Sequence, residues 1–301
     1  MRKLLLSTAA LCLVAQLATA QIRLPQPSPG ASVMQTIGTT DITVKYSRPS
    51  LKGREAFTSA LVPYGKVWRT GANTATNFST TTDLMVNGQK LAAGTYALLS
   101  IPEQSQWTII FSKKVATSEA DYKQEDDALR VMVTPGTSGV KTESFTIDFS
   151  DVTDSTAKMN MMWGNARASV PMGVDVNANA AANVDKAVAE KPEDAAVLQA
   201  AASYNLSKGR NLDQALAWTD KSIGMKETYR NVWVKAQILA KMGKFAEAVP
   251  LAQKAMTLGE ASGDASFPFF KDAIAKGVTE YTAKMPAVPS AVKGMKTKKK
   301  S

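Results

Sequence analysis

The sequence predicts an α+β protein, an N-terminal antiparallel β-sandwich or open barrel followed by a C-terminal α-helical hairpin-repeat region. Three observations predict it. Up to about residue 173 the apolar residues come in short alternating runs separated by turn residues, and beyond it they follow helical spacing in alanine-rich segments. Asn87-Gly88 sits between Leu84-Met85-Val86 and Gln89-Lys90-Leu91, and a two-residue hairpin turn needs positive φ at both central positions, which Asn and Gly tolerate. Finally, Gly209-Arg210-Asn211-Leu212-Asp213-Gln214-Ala215-Leu216 recurs, one residue shorter, as Gly243-Lys244-Phe245-Ala246-Glu247-Ala248-Val249, with Ala215 and Ala248 33 positions apart.

The elements follow in order. Arg2 and Lys3, the apolar stretch Leu4 to Leu17 and the small residues Ala18-Thr19-Ala20 read as a signal peptide over residues 1–20, cleaved before Gln21. A lipid-anchor signal at Cys12 would need a small residue before it, where Leu11 stands. The apolar run is shorter than the roughly 20 residues that span a bilayer, so the expected product is exported to the periplasm or beyond, possessing no transmembrane helix. Residues 21–172 hold nine to eleven short strands: Ser32 to Ile37, Ile42 to Ser47, Asn77 to Thr82, Leu84 to Val86, Gln89 to Leu91, Thr95 to Ile101, Trp107 to Ser112, Leu129 to Val133, Ser144 to Phe149, Lys158 to Trp163 and Ala166 to Pro171. Gly164-Asn165 is read as the turn between the last two. No long helical pattern intervenes, which argues against parallel crossover units.

Residues 173–284 carry helices at about 175–190, 193–208, 212–224, 228–242, 245–260 and 265–283. A small residue recurring at this period lets antiparallel helices approach closely. In the second copy Ala248 is followed by Ala255 at an interval of seven, as in a tetratricopeptide repeat, while the first copy has Ser222 in that place. The region resembles two degenerate tetratricopeptide-like hairpins over about residues 195–260, a surface suited to a protein partner. Residues 285–301, with Lys293, Lys296, Lys298, Lys299 and Lys300, read as a flexible basic tail, either a solvated end or a means of holding the protein to an anionic surface.

Composition narrows the chemistry. After residue 20 there is neither cysteine nor histidine, which removes serine–histidine and cysteine–histidine nucleophilic pairs and zinc sites built on imidazole or thiolate. Disulfides are absent too, so a packed core must carry stability in an oxidising compartment. Asp175-Val176-Asn177-Ala178-Asn179 opens like a calcium loop, but Ala180 and Lys186 stand where that loop needs glycine and glutamate. Asp175 is therefore read as a helix cap, with no metal and no cofactor expected. The formal charge of +10 falls to +3 for residues 21–292, and nucleic acid is not the expected partner.

Of that +3, residues 42–73 alone account for +5, with six basic residues against Glu55. Arg48, Lys52, Arg54, Lys66, Trp68, Arg69 and Asn73 lie there among glycines and aromatics. Guanidinium forks beside glycine suit carboxylate, phosphate or sulfate, and Trp68 offers a stacking surface for a sugar. These seven residues are the candidate site for an anionic or carbohydrate ligand. The same stretch also has a purely structural reading: arginines satisfying loop carbonyls, Asn73 capping a turn and a tryptophan closing the core. A histidine-free hydrolase would instead draw on Asp83, Glu103, Glu143 and Asp148, as in carboxylate-based glycoside hydrolysis, or on Lys52 or Lys66 as nucleophile.

Tyr46-Ser47-Arg48-Pro49, Lys52-Gly53-Arg54, Leu61-Val62-Pro63-Tyr64-Gly65, Trp68-Arg69-Thr70-Gly71-Ala72-Asn73 and Ala93-Gly94-Thr95-Tyr96 together resemble the exported bacterial family known as domain of unknown function 2911, over about residues 28–172. The resemblance implies an envelope protein of Bacteroidetes type, often followed by helical repeats, and no established reaction or ligand. The resulting expectation is a non-catalytic binding module.

Overall fold

The computed structural model describes residues 24–58 and 61–285. The expected signal peptide, residues 1–20, and residues 286–301 of the expected basic tail lie outside them. The chain divides into two compact units, one ending at Val174 and the other beginning at Asp175.

Among the described residues the first unit has ten strands in two antiparallel sheets. One is six-stranded, in the order β1 (Gly30–Ile37), β2 (Thr40–Ser47), β3 (Thr76–Thr80), β6 (Gly94–Ile101), β7 (Trp107–Ser112) and β8 (Asp127–Val133). The other is four-stranded, in the order β5 (Gln89–Leu91), β4 (Leu84–Val86), β10 (Thr156–Gly173) and β9 (Gly136–Ser150). Alternation decides which side of each strand is buried. Ile42, Val44, Phe78, Leu98, Ile109 and Phe111 from the larger sheet, and Phe145, Ile147, Met159, Met161, Trp163 and Val170 from the smaller, are all core residues.

Both seams between the sheets are bridged. As the chain leaves β2 it crosses to the edge of β9, where the Phe145 amide donates to the Pro49 carbonyl (2.8 Å) and the Leu51 amide to the Glu143 carbonyl (3.0 Å). The buried Tyr46 hydroxyl accepts from the Ile147 amide (2.9 Å). At the opposite seam the Asn87 side chain donates to the Met132 carbonyl of β8 (2.9 Å). Asn87 and Gly88 have φ of 46° and 80°, as a type I′ hairpin requires.

One expectation is corrected. Gly164-Asn165 does not turn the chain back; residues 156–173 form a single long strand, β10. Gly164 takes φ 61° at a pair of register shifts against β9, so its left-handed conformation serves a β-bulge that bends the strand.

Among the described residues the second unit has six helices: α1 (Val176–Glu190), α2 (Ala195–Lys208), α3 (Leu212–Met225), α4 (Tyr229–Lys241), α5 (Phe245–Ala261) and α6 (Pro268–Ala283). Asp175 caps α1 by accepting from the Ala178 amide (2.9 Å), Asp194 caps α2, and Thr228 with Asn231 forms a capping box on α4. Ala215, Ala248 and Ala255 are all fully buried, as expected of close helix contacts. Ser222, where the first repeat lacks alanine, is equally buried. Its hydroxyl donates to the Ala195 carbonyl (2.7 Å) and accepts from the Asn231 side chain (3.1 Å), which satisfies the buried oxygen. No helix among the described residues is long and apolar enough to cross a membrane.

Candidate ligand-binding site

The cation-rich stretch is the link that leaves β2 at Ser47 and returns as β3 at Thr76, and most of its donors are spent on holding that link in place. Arg48 donates from Nε to the Phe145 carbonyl (3.0 Å) and from Nη2 to the Thr146 hydroxyl (2.6 Å). Arg54 donates to the carbonyls of Leu51 (2.8 Å) and Ser50 (3.1 Å). Arg69 grips Glu119 with Nε (2.6 Å), with its backbone amide (3.1 Å) and with Nη2, and reaches the Asn73 carbonyl with Nη1. The shared anion site expected of Arg48, Arg54 and Arg69 is therefore corrected. Each guanidinium has its own protein acceptors: Arg48 ties the link to β9, Arg69 ties it to Glu119 between β7 and β8, and Arg54 satisfies carbonyls within the link itself.

Trp68 is corrected as well. It is 5 % exposed, its indole N–H donates to the Gly71 carbonyl (2.9 Å), and its ring lies parallel to Trp163 at 5.7 Å and edge-on to Phe145 at 4.9 Å. It closes the core and offers no face to a ligand. Lys52 and Lys66 are exposed, without the enclosure that activates a lysine nucleophile. Asn73, at φ 61°, donates to the Ser28 carbonyl and the Ser47 hydroxyl, both at 3.2 Å, and so fixes the end of the link against the start of the sheet.

Beside Asn73 the link and the outer face of the six-stranded sheet form an open groove of about 440 Å³. Its floor is a row of residues in direct register across three strands, Ser32 opposite Lys45 and Lys45 opposite Asn77. Gly30, Ser47, Thr74 and Ala75 complete the lining. The row faces outward because Val44 and Phe78, one position along, face the core. Among the described residues nothing engages the side chains of Ser32, Lys45, Thr74 or Asn77, so the groove has one uncompensated positive charge and several unused hydroxyl and amide valences. The sequence reading counted Lys45 in the charge total but looked to the loop arginines for the site. The available signal was the outward phase of β2, which only strand pairing places beside Ser32 and Asn77.

Glu119 belongs to a long excursion between β7 and β8, anchored where the Tyr122 hydroxyl donates to Asp127 (2.8 Å). Burial, then that hydrogen bond, pushes the Tyr122 phenol up to about 12. Burial acts to raise the Glu119 carboxyl, yet the hydrogen bonds from Arg69 outweigh it and hold the group below its ordinary value. A carboxylate depressed in this way adds stability above its unfolded pKa and loses it as pH falls through the folded one. Glu119→Gln should therefore lower the urea midpoint most at neutral pH, with the gap to wild type narrowing below about pH 4. A gap that stays constant with pH would show that the ion pair contributes nothing.

The four carboxylates proposed for hydrolysis share no partner. Asp83 pairs with Lys90 (2.7 Å) and accepts from the Ala93 amide, Glu143 accepts from the Lys52 amide, Asp148 accepts from Asn160, and Glu103 is exposed.

Residues 28–172 match the family model described as protein of unknown function, DUF2911. The matched segment is similar to this family of unknown function. No curated protein matches the chain. The matched segment includes both sheets, the link and all the residues of the groove, whereas the helical unit lies beyond the DUF2911 match.

Proposed function

We propose that the chain is an exported, non-catalytic binding module of the bacterial envelope, in which the DUF2911-like domain holds a small polar ligand and the helical unit meets a protein partner. The observation that carries this reading is the groove beside Asn73, where an unpaired ammonium and unengaged polar side chains line a volume of small-molecule size. The link that walls it is fixed by Arg69 and Asn73, and a preorganised wall lowers the cost of binding. The helical unit supports the second half through its repeated hairpins and an open cleft of about 510 Å³ that includes Gln199, Lys226, Arg230 and Leu258. Export is supported by the basic, apolar and small-residue succession of residues 1–20.

A thermal-shift screen of the chain from Gln21 against glycans, nucleotides and phosphates tests the ligand-binding half. At least one class should raise the melting temperature in a saturable way, since a ligand that binds only the folded state stabilises it by mass action. Absence of any shift at millimolar ligand would dispose of the reading.

A further inference from the structure

We infer that the groove over β1, β2 and β3 binds a sugar acid, a polyhydroxylated ligand with a single carboxylate. This rests on the binding reading above and names its ligand class. Lys45 supplies one compact positive charge at the centre of the floor, flanked across the strands by the Ser32 hydroxyl and the Asn77 amide, with the Thr74 hydroxyl on the wall. One ammonium matches one carboxylate. No arginine lines the groove, so it lacks the two cations or guanidinium pair that would favour a phosphate dianion.

Hydroxyls and an amide both donate and accept. Residues directly opposite on neighbouring strands stand about 5 Å apart, comparable to the separation of hydroxyls across a sugar ring. A neutral sugar recognised by stacking would need an exposed aromatic face. The lining has only Tyr46, whose side chain is buried and whose hydroxyl is held at Ile147. Recognition therefore falls to the charge and the hydroxyl row.

The glycine in the lining provides a separate handle. A Cβ built at Gly30 meets no atom within 4 Å, so Gly30→Val places a strand-favouring side chain in the groove without disturbing the core. The experiment compares D-glucuronate, D-glucose and inorganic phosphate by thermal shift and calorimetry on wild type, Lys45→Met and Gly30→Val, with circular dichroism to establish that both variants fold. Glucuronate should bind saturably and more weakly as salt is raised. Lys45→Met should weaken it about tenfold, the value of one charge-assisted hydrogen bond, and Gly30→Val should abolish it. Glucose binding as well as glucuronate, or glucuronate binding unaffected by Lys45→Met, would overturn the ligand class while leaving a binding module standing. Phosphate binding as tightly through Lys45 would overturn the polyol requirement. No binding by any of the three, together with an empty glycan and nucleotide screen, would remove the binding reading itself.

Discussion

Trp163→Ala should destabilise the β unit by about 3–5 kcal/mol, the range for truncating a buried tryptophan. Trp163 is 2 % exposed and is central to an aromatic cluster. Its ring is parallel to Trp68 at 5.7 Å and edge-on to Phe57 at 6.0 Å and to Phe145 at 6.2 Å. Its indole N–H reaches the Glu143 carbonyl at 3.3 Å, close to where the β2 link crosses onto β9. Removing it opens a cavity walled by the smaller sheet and the link, and rigid strands collapse poorly onto such a void. Urea unfolding followed by near-ultraviolet circular dichroism measures the loss, and Trp163→Phe should recover part of it. A loss below about 1 kcal/mol, the scale of ordinary surface substitutions, would mean that the cluster is not the core it is taken to be.

The same cluster explains how far the sequence could be read. Alternation located nearly every strand because one face of each is buried, and that periodicity is local. Gly164 was legible as a residue needing left-handed backbone, but a bulge and a turn make the same local demand. Only the pairing of residues 156–173 with β9 tells them apart. The one-sided charge of residues 42–73 was equally visible, whereas its destination was not. Arg69 finds Glu119 50 positions away, and Arg48 finds Phe145 97 positions away, and separations of that size carry no local signal. Lys45 illustrates the converse. Its place in an alternating strand made it look like an ordinary solvated residue until β1 and β3 set hydroxyl and amide groups on either side of it. In the helical unit, the recurrence of Ala215 and Ala248 was enough, because close packing of antiparallel helices imposes small residues at a fixed period.

Gly277→Ala should destabilise the helical unit, although glycine to alanine inside a helix ordinarily gains about 1 kcal/mol. A Cβ at Gly277 on α6 would lie 2.3 Å from Cη2 and 2.9 Å from Cζ3 of Trp233, well inside van der Waals contact. Trp233 has little room to retreat. It is 6 % exposed, parallel to Tyr281 at 6.1 Å, and packed in the cluster with Val232, Ala236, Ala252 and Ile274. The clash must move α6 or force the indole off its rotamer, an overpacking cost of about 1–3 kcal/mol that outweighs the propensity gain. Gly259 on α5 makes the same demand of Phe267, with a Cβ at 1.9 Å from its ring, so Gly259→Ala should lose stability too. Gly224 on α3 is the internal control, since a Cβ there meets nothing within 4 Å, and Gly224→Ala should gain stability. Three variants of identical chemistry then separate by sign in thermal or urea unfolding. If Gly277→Ala and Gly224→Ala stabilise alike, α6 does not lie against Trp233 as described. If the contact is real, Trp233→Leu in the Gly277→Ala background should cost less than Trp233→Leu alone, because the added methyl then occupies space the indole has vacated.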